Sequence, residues 1–194
     1  MYMKGKDCLM KKAVFIILPC ILIFLIAGCS TVPKTDEAKA VLTSEVTNTV
    51  ALFKATDPGI NRFFEQSYGY AVLPKVFKGG IWLGGAGGRG EVFEQKKMVG
   101  YCRMSQATLG FTFGGEYFRE IVFFRDKEDL DKFKAEEYTF SAQVTGVALS
   151  AGAAAKADYK SGMAVFVMPD VGLMVDASLG GQKFNYVAKD LAGQ

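Results

Sequence analysis

The sequence predicts an α+β domain: N-terminal helices packed on a glycine-rich, mainly antiparallel β-sheet, curved strongly enough to approach a barrel, with one short internal helix. Three observations predict it. Apolar residues recur at near-helical spacing between residues 36 and 66. From Tyr68 onward the chain turns to short β-rich runs separated by glycines and turns. Residues 79–90 hold seven glycines in twelve positions, which permits sharp bends and close backbone approach within a sheet.

Ahead of the domain, Lys11-Lys12 lead into 16 apolar residues, 13–28, that end in Ala27-Gly28. A positive start, an apolar run and small residues at its end make an export signal. The run is short for a bilayer span and contains Pro19. Met10 directly precedes the lysines and is a second candidate start of translation beside Met1. Ile26-Ala27-Gly28-Cys29 resembles a bacterial lipobox. That resemblance implies cleavage before Cys29 and acylation of its sulfur, and each buried methylene then contributes ~0.8 kcal/mol. Ser30, where an Asp favours retention in the inner membrane, implies the outer membrane and a domain facing the periplasm. The expected organisation is a signal peptide over 1–28, a lipidated tether over 29–35 and one domain over 36–194.

Within the domain, Thr35-Asp36-Glu37 is a helix start, with acids favouring the positive end of the dipole. Leu42, Val46, Val50 and Phe53 continue that helix, and its apolar face is expected to pack on the core. Asp57-Pro58 reads as an N-cap followed by Pro in the first turn, opening a short second helix with Ile60, Phe63 and Phe64. Candidate strands follow at Tyr70–Leu73, Gly80–Gly85, Arg89–Glu94, Met98–Ser105, Ala107–Phe113 and Tyr117–Phe124. Asp126 caps the internal helix containing Leu130 and Phe133. Further strands are expected at Tyr138–Leu149, Met163–Met168, Gly172–Ser178 and Lys183–Ala188. The segments ending at Pro74 and Pro169 look faintly alike, each running into glycine-rich strand.

Charge and composition exclude several functions. The net charge is +3, and Lys4, Lys6, Lys11 and Lys12 against Asp7 account for all of it. Removing those four bases from 23 and that acid from 20 leaves 19 of each. A balanced body gives no electrostatic reason to bind nucleic acid. There is no histidine, which removes the usual general base and the commonest transition-metal ligand. Cys8, Cys20, Cys29 and Cys102 fit no zinc spacing. With Cys29 acylated, Cys102 has no partner, and its alternation with Met98 and Met104 marks it as a small buried hydrophobe.

Gly85, Gly87 and Gly90 formally satisfy G-x-G-x-x-G. That motif needs a following helix to face a pyrophosphate, whereas Glu91-Val92-Phe93-Glu94 reads as strand. No cofactor is expected. The acids at Asp126, Glu128, Asp129 and Asp131, and at Glu136-Glu137, read as solvated helix charge. They lack the glycine turn and distal Glu of an EF-hand. Nothing pairs a nucleophile with a base, so no enzyme is expected.

The order of motifs resembles the SYLF domain family. The resemblance rests on Ser67-Tyr68-Gly69-Tyr70-Ala71-Val72-Leu73-Pro74-Lys75-Val76, then the glycine run from Gly79 through Phe93. It continues in Leu109-Gly110-Phe111-Thr112-Phe113-Gly114-Gly115, in Ile121-Val122-Phe123-Phe124 and in the segment from Gly172 to Gly181. It covers roughly residues 36–190 and implies lipid binding. Phosphoinositide-binding members use a basic amphipathic N-terminal helix, whereas residues 36–55 offer only Lys39 and Lys54.

Two functional expectations follow. The first is a non-enzymatic phospholipid-binding domain held on a membrane through acylated Cys29, with Lys75, Lys78, Arg89, Gly85, Gly87 and Gly88 at the headgroup. Each phosphate contact there would be a charge-assisted hydrogen bond, roughly 1.5–3 kcal/mol where desolvated. The alternative is an envelope structural protein whose sheet binds another protein or the cell wall.

Overall fold

Thr35 Oγ1 accepts a hydrogen bond from the Ala38 amide at 3.1 Å and opens helix α1, Asp36–Thr56. Leu42, Val46, Thr49 and Phe53 are its buried stripe, with Val50 packed beside it. Asp57 ends α1 and caps a 3-10 turn, Pro58–Ile60, that runs into helix α2, Asn61–Gln66. The Asp57 carboxylate, 3% exposed, accepts from the Gly59 amide at 3.0 Å and from Ala154 at 2.7 Å. These bonds, the Ala154 one first, hold its pKa below the ordinary range. The computed structural model describes residues 30–136, 139–140, 147–148 and 150–192. Its compact unit, Thr31–Gln194, contains every residue of both cores described below and so carries the means to fold by itself.

The sheet is built from three very long strands: β1, Gly69–Glu94; β2, Lys97–Phe124; and β5, Met163–Ala188. Nine of the expected strands merge into these three. Between β2 and β5 lie helix α3, Lys127–Lys134, the two-residue strands β3, Thr139–Phe140, and β4, Val147–Ala148, and a one-turn helix α4, Ala153–Lys156. The rest of the expected strand Tyr138–Leu149 lies outside the described residues, and α4 was not anticipated. Gln95 and Lys96 link β1 to β2 with φ of 47° and 66°, the two left-handed residues that a two-residue type I′ hairpin requires.

The order is β1-β2-β5-β3, with β4 beside β5. All pairs are antiparallel except β4 with β5. The sheet curls without closing, so the barrel is not reached. The curl comes from doubling back. A Cβ on Gly90 would stand 2.1 Å from the Val72 carbonyl oxygen, and one on Gly88 2.7 Å from that of Lys75. Only glycine lets the two halves of β1 approach so closely. The chain reverses at Trp82, whose φ is 65°. Because β2 pairs with both halves of β1, and β5 with both halves of β2, all three strands fold over together as a nested ribbon. One end, the base, holds the strand termini and the hairpin. The other, the tip, holds the three bends.

Two cores result. Ala71, Leu73, Val76, Cys102, Met104, Phe118 and Val122 fill the interior between the folded halves. Leu130 and Phe133 of α3 join them, with the Phe133 ring 4.7 Å from Phe124 and 5.1 Å from Phe184. Asp126 caps α3 as expected, accepting from Asp129 at 3.0 Å. On the outer face of the base, Val72, Tyr101, Ile121, Phe123 and Phe166 meet Phe53, Phe63 and Phe64 of the helices. Pro33 is buried and Val32 packs on this outer core, so the chain enters the domain at the base.

Candidate functional site

Among the described residues the helices pack on the base and none of them covers the bend of β1. At the bend of β1, Ile81, Trp82 and Leu83 are each 67% exposed, and Phe113, the register partner of Ile81, is 61% exposed. Toward the base, Phe77 and Tyr117 are also partners, 49% and 38% exposed, with ring centroids 5.2 Å apart. Gly79 and Gly115 pair between these two couples. Alternate residues share a strand face, so Phe77, Gly79 and Ile81 line the same surface as Tyr117, Gly115 and Phe113. The Phe77 ring lies over the two glycines, where a Cβ would meet it at 3.0 and 3.4 Å. The result is one contiguous apolar strip running to the tip, of the kind that marks an interaction surface.

Lys75 borders the strip on its base side, with Nζ 5.0 Å from the Tyr117 ring centroid. Of the residues singled out from sequence, Lys75 and Arg89 are exposed, and Lys78 is half-buried in register with Glu116. The fold brings Lys75 and Gly88 together through their backbones, which gives Gly88 a structural reason to be glycine. Gly85 is exposed and Gly87 half-buried, and a Cβ on either would meet only a β2 carbonyl oxygen, at 3.4 and 3.6 Å, with none of the close approach found at Gly88. Cys29 lies outside the described residues.

Sequence reasoning missed the strip itself. Its signal was Ile81-Trp82-Leu83, three apolar residues in a row inside a glycine run, where a strand with one buried face alternates. It also missed three buried acids. Asp129, expected as solvated helix charge, is 5% exposed, because its turn of α3 faces the sheet beside Leu130. Glu91, 1% exposed, accepts a hydrogen bond from Thr43 of α1, and its pKa is raised by burial. Glu120, 0% exposed, faces the interior of the ribbon, and burial pushes its pKa up to about 7. Cys102 is buried as expected, and burial pushes its thiol far above the ordinary range. Among the described residues no helix is long and apolar enough to cross a membrane, and no three acids or cysteines converge as a metal site.

No family model matches the chain. It is 32% identical over 162 residues to Beta cell expansion factor A of Aeromonas veronii, which is 82% of this chain and 61% of that protein. The chain thus spans less than two thirds of the length of this relative.

Proposed function

We propose that this protein is a periplasmic lipoprotein of the outer membrane, anchored through acylated Cys29, whose SYLF-like domain binds phospholipid and catalyses no reaction. The observation that carries this is the apolar strip at the tip. A protein in water gains nothing by exposing Ile81, Trp82, Leu83 and Phe113 together, whereas a bilayer rewards each with roughly 1.5–3 kcal/mol for full burial. Tyr117 and Lys75 border the strip as an amphipathic ring and a cation, the pair of groups that sit at a headgroup layer. Glu91, Glu120 and the Cys102 thiol are shut in the core. This supports a binding role over a catalytic one.

Trp82 is the sole tryptophan of the chain and lies in the strip, so it reports the contact directly. Residues 30–194 are mixed with vesicles of phosphatidylethanolamine and phosphatidylglycerol. The expected result is co-flotation with a blue shift of tryptophan emission. Absence of both, with zwitterionic and anionic vesicles alike, overturns the reading. Recovery of a stoichiometric envelope protein without lipid uptake supports the alternative of a protein-binding sheet.

A further inference from the structure

The two segments that looked alike in sequence, ending at Pro74 and Pro169, flank the same stretch of β2. Leu73 and Val167 are the partners of Glu120 on either side. Just beyond them both ladders slip: β1 between Leu73 and Val76, and β5 opposite Tyr117 and Phe118. Each slip contains or adjoins a proline, which has no N–H to give to a ladder. The ribbon is therefore weakened on both sides of one point, at the boundary between the helix-covered base and the tip. Arg119 faces outward there and holds Asp170 through two hydrogen bonds of 3.0 Å.

Glu120 faces inward at the same point. Alternation along β2 puts it on the face of Phe118 and Val122, inside the ribbon. Its Oε2 accepts from Gln182 at 3.3 Å, and its Oε1, also buried, has no hydrogen-bond partner. A buried carboxyl held so thinly is costly to ionise, since a desolvated charge needs full pairing. The groups that face it do not help. From β5 comes the neutral Gln182 and from β1 Leu73; on β2 itself the titratable neighbour is Cys102, a thiol kept neutral by burial. The charges of Arg119 and Asp170 are spent on each other, on the other face.

We propose that the tip half of the ribbon is hinged on the base along the line Pro74–Arg119–Pro169, and that Glu120 is its latch: protonated it keeps the ribbon shut, ionised it lets the tip half open. Opening hydrates the carboxylate and turns the interior face around Val76 and Phe118 outward beside the strip. The consequence at a bilayer rests on the membrane reading; the hinge does not.

The latch is tested in solution by hydrogen exchange of residues 30–194, wild type against Glu120→Gln at matched pH, so that intrinsic exchange rates cancel. Opening is expected to rise in the wild type by about tenfold per pH unit from roughly 5 to 7 and then level off. The rise is confined to residues 76–90, 104–118 and 169–183, and Glu120→Gln stays closed throughout. Equal protection in the two proteins at every pH overturns the proposal. Should Glu120→Gln fail to fold, the carboxyl carbons of the wild type are titrated by NMR. One glutamate must titrate above pH 6, and its absence is equally fatal. Flotation onto anionic vesicles at pH 5 and pH 8 separates the two ideas. Opening without flotation at either pH removes the membrane role and leaves the hinge, and flotation without opening does the reverse.

Discussion

Thr43 on α1 donates a 2.6 Å hydrogen bond to Oε1 of Glu91 on β1, 48 residues away. It partners an acid that is otherwise buried against the outer core, and it fixes the register of the helix on the sheet. Replacing Thr43 with Val leaves that oxygen short of a partner. The expected cost is about 1–3 kcal/mol, read as a lower urea midpoint. An unchanged midpoint would mean that the bond contributes nothing net.

Gly90 is the point of closest approach within β1. Gly90→Ala puts a methyl on the Val72 carbonyl, which is backbone and cannot swing aside. Destabilisation of about 3 kcal/mol or more is expected, read as failure to fold or as a large fall in Tm. Gly85→Ala, where the nearest atom is the Gln106 oxygen at 3.4 Å, should cost less than about 1 kcal/mol. Equal effects at the two sites would contradict the doubled ribbon.

Stability should fall as pH rises from mildly acidic to neutral. The folded-state pKa of Glu120 is about 7 against an ordinary 4.5, so the folded protein binds a proton that the unfolded chain releases. That contribution is complete below pH 4.5, declines as pH rises and is gone once pH passes 7. Its size is about 3 kcal/mol between those limits. Chemical denaturation of the wild type and Glu120→Gln at pH 5 and pH 8 measures it. The difference between pH values should shrink in the variant, and an identical pH profile would exclude the assignment.

Trp82→Ala with Phe113→Ala removes the two largest exposed tip side chains among the described residues without touching either core. Vesicle partitioning should drop by at least about a hundredfold, with the Tm changed little. Lys75→Gln should weaken binding to anionic vesicles by about fivefold and leave zwitterionic vesicles almost unaffected. Partitioning unchanged by the double substitution would move the contact away from the tip.

Much of the fold was legible because it is local. Thr35 and Asp126 announce their helices through bonds to amides three residues on, and Leu42, Val46 and Phe53 keep a helical period that no distant contact is needed to see. Strand segments were legible from alternation, yet their number was not. Glycine marks a bend in the same letters whether the ladder breaks or continues around it, so nine segments were read where three bent strands exist. Glu120 was invisible for a related reason: an acid in a strand reads as solvent-facing until a second layer is folded over it.

By itself, then, the sequence determined which stretches are helix and which are strand, and that glycines let the sheet bend sharply. Tertiary structure alone decided that Ile81-Trp82-Leu83 lies at a bare edge and not in a core. Burial is a property of what covers a residue, and α1, α2 and α3 pack on the base, so that among the described residues none of these helices covers Ile81, Trp82 and Leu83 at the bend of β1.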